Sequence, residues 1–381
     1  MVNRERAGLR KDTGGAAPSR RSLLTGTLAG ATGVAALAAA APALAASSAQ
    51  ASPLNRAAVS AKATELAATS YVPGSGWINV VSQFQADPTG ETDSTAAIQA
   101  ALDSVPASGA VVYLPAGTYL ISAALTPGIK TTIQGDGVGA TLIKQSSTTA
   151  NGIQCVDGEY LSVSDLWLYG PSSGSGAAID VDVSANPDAP YTRVQRVTMS
   201  HWGSHGVYVN QPIVSEFDSV VSMVNGGDGF HVTAAVACTS CRFSTCYANA
   251  NAGTGYSLTN LQYSVLDGCA ADSNANGYEL AGCYAVTLNG CGAESTSASS
   301  FTFQSGTGNS VVGCWVYRNG GTGILVQNAE SKLTLIGCTE NGPSASATSF
   351  INAASGTSGA LLNVTNVSAN NLPASGWTTL A

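Results

Sequence analysis

The chain has 381 residues, of which 43 are glycine and only 10% are charged, with a formal net charge of −8. An acidic surface repels the phosphates of nucleic acids and of anionic membranes, which argues against both as partners. Abundant Gly, Ser, Thr and Asn beside few charges reads as a turn-rich all-β chain, long enough to bury one extended core.

Ser19-Arg20-Arg21-Ser22-Leu23-Leu24 resembles a twin-arginine export signal. An Ala/Leu/Gly stretch runs on to Leu44, and Ala43-Leu44-Ala45 supplies a small-residue cleavage pattern. A membrane anchor is the alternative, but the stretch is alanine-heavy and interrupted by Pro42. The expectation is a signal peptide over 1–45 with cleavage near Ala45, a secreted product, a flexible lead-in over 46–76 and one domain over 77–381. Of the 15 basic and 23 acidic residues, six and two lie in the first 45, leaving 9 against 21 and a balance of −12. Such a surface takes a neutral polysaccharide more easily than a polyanionic one.

Residues 77–122 open with Phe84, Ala86-Asp87-Pro88-Thr89-Gly90 and Asp93-Ser94-Thr95, then Ala97-Ile98-Gln99-Ala100-Ala101 and Val112-Tyr113-Leu114-Pro115-Ala116-Gly117-Thr118-Tyr119. This opening resembles the pectate-lyase-like superfamily, which spans rhamnogalacturonases, polygalacturonases, mannuronan epimerases, exo-glucanases and phage tailspikes. The resemblance implies a right-handed parallel β-helix acting on glycans. The residues support a short helix capped by Asp93, with Ala97, Ile98, Ala101 and Leu102 on one face. Such a helix would plug the open end of a solenoid whose first coil begins at Val111 to Ile121.

Further along, Cys246, Cys269, Cys291, Cys314 and Cys338 recur at spacings of 23, 22, 23 and 24 residues, with Val197 and Val220 in the same register upstream. A steady period means one supersecondary unit wound repeatedly. A second, apolar register runs Ile153, Ile179, Val207, Phe230, Tyr256, Tyr278, Phe301, Ile324 and Phe350. Alternation in twos after each of these positions says short strand, and no coil holds enough periodic residues for a helix. Stacked Cβ atoms about 4.8 Å apart are too far for a disulfide, so the cysteines read as buried thiols acting as apolar filler. Cys238 is placed in a turn and expected to be the most reactive of the nine. Cys238, Cys241 and Cys246 lack the second pair of ligands a metal cluster needs.

Counting outward from the apolar register assembles a polar patch. One and three residues past it stand Asp180 and Asp182, Tyr208 and Asn210, His231 and Thr233, and Glu279; two before it stand His205 and Asp228. Paired carboxylates and imidazoles on one face are what acid/base work on a glycan requires. Asp180, Asp182, Asp228, Glu279 and His231 are the catalytic candidates, with His205, Tyr208, Trp202 and Asn210 expected to bind substrate. The alternative is that these are solvated rung positions keeping the solenoid soluble. Arg193, Glu216 and Arg242, four before the cysteine register, read as a stabilising charge ladder.

Polygalacturonases carry an Asp-Asp pair and an Arg-Ile-Lys that this chain lacks; it has only Asn225-Gly226-Gly227-Asp228-Gly229 and Ser204-His205-Gly206. The first expectation is an inverting hydrolase cleaving an extracellular polysaccharide without metal or cofactor. The others are a polysaccharide lyase using calcium held by Asp180, Asp182 and Asp228, and a non-catalytic glycan-binding or cell-surface protein. The sequence leaves the oligomeric state open.

Overall fold

A computed structural model describes residues 76–156, 160–183, 191–236, 238–317, 320–343, 345, 347–365 and 370–380. The export segment and the lead-in up to Ser75 lie outside these residues. Among the described residues, no helix is long and apolar enough to cross a membrane.

The described chain winds as a parallel β-solenoid. Its strands form one 22-stranded sheet, a 10-stranded sheet and a two-stranded ribbon. Successive coils lay short strands on one another in parallel, so that each strand of the two large sheets pairs with the coil before and after it. In the ten-stranded sheet, Val207–Asn210 pairs in parallel with Ile179–Asp182 and with Phe230–Thr233, which pairs in turn with Thr254–Thr259. The cysteine register also holds: Thr198, Val221, Tyr247, Ala270, Gly292, Trp315 and Thr339, each one residue past it, are Cα partners in sequence.

Burial follows this register. Val197, Val220 and the five ladder cysteines are at most 2% exposed. Phe230, Tyr256, Tyr278 and Phe301 stack with ring centroids 4.8 Å apart and planes within 4°. The two tyrosines satisfy their hydroxyls on the Ala270 and Gly292 carbonyls, so the polar ends cost little inside the core. All nine cysteines are buried and none forms a disulfide. Ladder thiols point at backbone carbonyls instead, Cys291 at Leu266 O and Cys314 at Leu288 O, each at 3.4 Å.

At the N-terminal end, the helix Thr95–Asp103 buries Ile98, Ala101 and Leu102 against this core. Its N-cap is Ser94; Asp93 sits one residue earlier and accepts the Thr95 N–H at 2.9 Å. Asp87 accepts from the backbone and hydroxyl of both Thr89 and Thr92, which ties the Asp-Pro-Thr-Gly turn.

Three expectations need correction. The solenoid begins a coil earlier than Val111, because Trp77–Asn79 already pairs with Val111–Tyr113. The last apolar rung is Ile351 rather than Phe350: Ile324 pairs with Ile351, while Phe350 packs over Gly323, where no side chain stands in its way. Cys238 is fully buried, in a two-residue strand paired with Leu261–Gln262, and burial pushes its thiol up to about 12.

Candidate active site

The polar patch lies where the chain enters the ten-stranded sheet. Its outward residues run down the sheet as Gln154, Asp180, Tyr208, His231, Ser257 and Glu279, each the Cα partner of the next. The corner just before each strand carries a second row in which His205 and Asp228 are neighbours, since the Gly206 N–H bonds to Asp228 O. Buried asparagines fix these corners. Asn225 Nδ2 donates to Asn251 Oδ1, and Asn251 Nδ2 to Asn274 Oδ1, each at 2.9 Å. Fully satisfied amide ladders of this kind rigidify the loops they cross.

His205, Tyr208, Asp228 and His231 converge. His231 Nδ1 lies 2.7 Å from Asp228 Oδ2, and the other carboxylate oxygen accepts the Thr254 N–H at 2.6 Å. A carboxylate accepts, so His231 Nδ1 carries the hydrogen of this bond and Nε2 is the ring nitrogen left for a substrate or water. His205 is held in the opposite sense: its Nδ1 accepts the Asp228 N–H at 3.0 Å, which puts its proton on Nε2. Burial lowers the His205 pKa, and neighbouring His231 lowers it further against the pull of Asp228, so the ring stays neutral. Tyr208 stacks on His231 with centroids 5.4 Å apart. Burial and then the charges of Asp182 and Asp180 raise its pKa, keeping the phenol protonated.

One rung before Tyr208, Asp180 Oδ2 accepts from Asn151 Nδ2 at 2.7 Å, and Asp182 Oδ1 accepts from Asn210 Nδ2 at 3.1 Å. Desolvation pushes the Asp180 carboxyl above its usual range; the Asn151 hydrogen bond opposes this and the Asp182 charge reinforces it.

The structure thus brings Asp180, Asp182, His205, Tyr208, Asn210, Asp228 and His231 onto one surface. Of the two remaining expected members, Glu279 keeps its place on the column and Trp202 does not reach the surface. Glu279 lies two rungs beyond His231, with Ser257 between, and binds Gln304 Nε2 at 2.8 Å. Trp202 is 1% exposed and cannot touch a substrate; its Nε1–H donates to Leu168 O. The indole is wedged beneath Gly152, where an added Cβ would lie 2.8 Å from the ring. It therefore supports the corner that carries Asn151. Asn151 itself was missed, although it stands two before Ile153, the same corner position that singled out His205 and Asp228.

One ligand atom each from His205, Asp228 and His231 lies within 4.8 Å of the others, a trio able to surround a metal ion. The donor set suits an imidazole-preferring metal and not calcium, which takes six to eight oxygens. Both Nδ1 atoms and both carboxylate oxygens already hold hydrogen bonds within the protein.

Comparison with known proteins now fixes the family. A family profile described as rhamnogalacturonase A/epimerase, pectate lyase-like, matches residues 77–277. The chain belongs to that family. Among curated relatives, the mannuronan C5-epimerase AlgE3 of Azotobacter vinelandii is 34% identical over a stretch covering 39% of this chain and 9% of the relative. AlgE2 of the same organism is 33% identical, with 39% and 17% covered. The chain therefore spans less than a fifth of the length of these relatives. The A-module of the Azotobacter vinelandii epimerase AlgE4 superposes with a TM-score of 0.56 at 21% identity, covering 80% of this chain and 100% of that module. That likeness establishes the β-helix fold.

Proposed function

We propose that the protein is an exported carbohydrate-active enzyme that hydrolyses glycosidic bonds in a polysaccharide with inversion at the anomeric carbon. One observation carries this reading: a carboxyl biased to keep its proton, Asp180, and an imidazole with its Nε2 left for a substrate or water, His231, flank Tyr208 on one ladder. Asp180 donates its proton to the leaving oxygen. His231 Nε2 takes a proton from the attacking water, and Asp228 stabilises the imidazolium that forms, as an acid–base mechanism requires. Two rungs separate the acid and base strands, about 9.6 Å, just above the roughly 6.5–9.5 Å spacing that admits a water and leads to inversion and well above the roughly 5–5.5 Å of retention. Tyr208 and Asn210 orient the sugar between them. The carboxylates of Asp182 and Asp228 favour the positive charge of an oxocarbenium-like transition state.

The sequence expectation grouped Asp228 and Glu279 with the catalytic carboxylates; in this reading Asp228 is a positioning residue, and Glu279, held by Gln304, lies on the far side of His231 from Asp180. A second reading, proton transfer at C5 of a uronate, is favoured by the likeness to mannuronan C5-epimerases and by the Tyr208–His231 stack. It is disfavoured because no lysine or arginine occupies the outward positions of these rungs to neutralise a uronate carboxylate. Digestion of neutral and uronate polysaccharides in D2O, followed by NMR, separates the two. Hydrolysis gives new reducing ends of inverted anomeric configuration and no carbon-bound deuterium. Deuterium at C5, or a near-ultraviolet absorbance from an unsaturated uronate, would replace the hydrolase with an epimerase or a lyase.

A further inference from the structure

A different edge of the solenoid carries features that the catalytic patch does not explain. Where each coil turns out of the ten-stranded sheet toward the strand of Arg193, Glu216 and Arg242, one corner residue per coil takes a left-handed backbone. In rung order these are Gly109, Lys130, Tyr160, Tyr191, Val214, Ser240 and Tyr263, continuing through Ala285, Gly308 and Lys332, with φ between 45° and 90°. A glycine meets that conformation without strain, and Gly109 and Gly308 show that the corner accepts one. Tyrosine does not, because its Cβ crowds the backbone there. Yet Tyr160, Tyr191 and Tyr263 occupy it and leave 42%, 45% and 69% of their surface in solvent. Burial cannot explain bulky aromatics held in a strained backbone and pointed at water. Left-handed corners recur throughout the solenoid; what sets these apart is the exposed aromatic side chain each carries.

The surroundings complete a binding surface. Tyr160 and Tyr191 stack with centroids 5.3 Å apart. They line a cavity of about 510 Å³ together with Arg193, Glu216 and Arg242. A second cavity of about 560 Å³ is lined by Trp77, Lys130 and the same Tyr160, so the two join end to end along the solenoid axis. Of the seven lysines and arginines after Gly76, three line these cavities, the others being Lys144, Arg196, Arg318 and Lys332. Glu216 bonds Arg193 at 3.0 Å, while Arg242 reaches Asp267 only at 3.7 Å.

We infer that this corner track is a second glycan-binding site, which anchors an extended polysaccharide chain apart from the catalytic patch. Aromatic faces suit the apolar faces of pyranose rings, and the guanidinium forks and serine hydroxyls suit their oxygens. The net positive lining, in a chain of net charge −8, suits carboxylates on the anchored stretch of the polymer, while the sugar held at the catalytic patch is neutral. The choice of a saccharide as occupant rests on the function proposed above; the strained aromatic track does not.

The test uses the full chain carrying His231→Gln, so that binding is read without turnover. Polymannuronate and a soluble α-1,3-glucan serve as probes in calorimetric titrations, with melting temperatures recorded in parallel. Tyr160→Asn and Tyr191→Asn together are expected to weaken polymannuronate binding by about tenfold or more. The melting temperature should hold or rise, because asparagine tolerates the left-handed corner better than tyrosine. Raising the salt concentration should weaken polymannuronate binding and leave glucan binding unchanged. Unchanged affinity for both polymers in the double variant, or failure of the parent to bind either one, overturns the inference. Loss of binding in the double variant would sustain it even if no hydrolysis is ever detected.

Discussion

The two sides of a single strand, Phe230–Thr233, obey different rules. Inward, Phe230 is one of a column of near-identical rings, and the neighbouring cysteine column repeats one small residue coil after coil. Outward, the same rungs read Asp180, Tyr208, His231, Ser257 and Glu279, with no residue repeated. A stack is most stable when each rung matches the next, so repetition marks what the fold needs. Variation on an outward column is free of that demand, and where it gathers acids, imidazoles and a phenol it marks chemistry.

The comparison can be broken most severely from the inside. Cys291→Asp would bury a charge with no partner in the thiol column, and no folded protein is expected on size-exclusion chromatography. Tyr278→Ala opens a gap in the aromatic stack and should cost about 3–5 kcal/mol in a denaturant titration. Cys291→Ala should cost only on the order of 1 kcal/mol, because it removes one small buried group. Alkylation of the native protein should modify few of the nine thiols, Cys238 included; rapid labelling of five or more would mean that the column faces solvent.

On the outside the expected sign reverses. Burial raises the folded-state pKa of Asp180 above its ordinary value of 3.8, so the folded state holds this proton longer than the unfolded one. Stability contributed by this group therefore falls as pH rises from 3.8 through the folded pKa. Asp180→Asn should remove that loss, leaving the melting temperature at neutral pH equal to or above wild type while activity disappears. A lower melting temperature at neutral pH would make Asp180 a structural residue.

Much of this was legible in the sequence because the period of the cysteines is the period of the rungs. Once Cys246 to Cys338 fixed the register, Asp180, Tyr208 and His231 fell on one column by counting alone. What counting misses is depth and direction. Trp202 looked like a sugar platform because it lies among the histidines, but a glycine two coils away leaves a slot beneath Asn151, and the indole fills it. Asp228 read as one more catalytic carboxylate; only the backbone N–H of Thr254 and the ring of His231, supplied by tertiary structure, make it a holder of imidazole. The slip at Phe350 arose because two adjacent apolar residues fit the same pattern, and the register was decided by packing over Gly323. The tyrosines of the corner track left no periodic signal, since Val214 and Ser240 interrupt them.

The most direct test of the division between a repeating inner face and a reactive outer one is His231→Gln, assayed for turnover and for thermal stability in the same preparation. Loss of the base should lower kcat on the hydrolysed polysaccharide by about 10²–10⁴-fold, with the melting temperature unchanged. Wild-type turnover in the variant, or a loss of activity matched by a loss of fold, would contradict the assignment of the chemistry to this ladder.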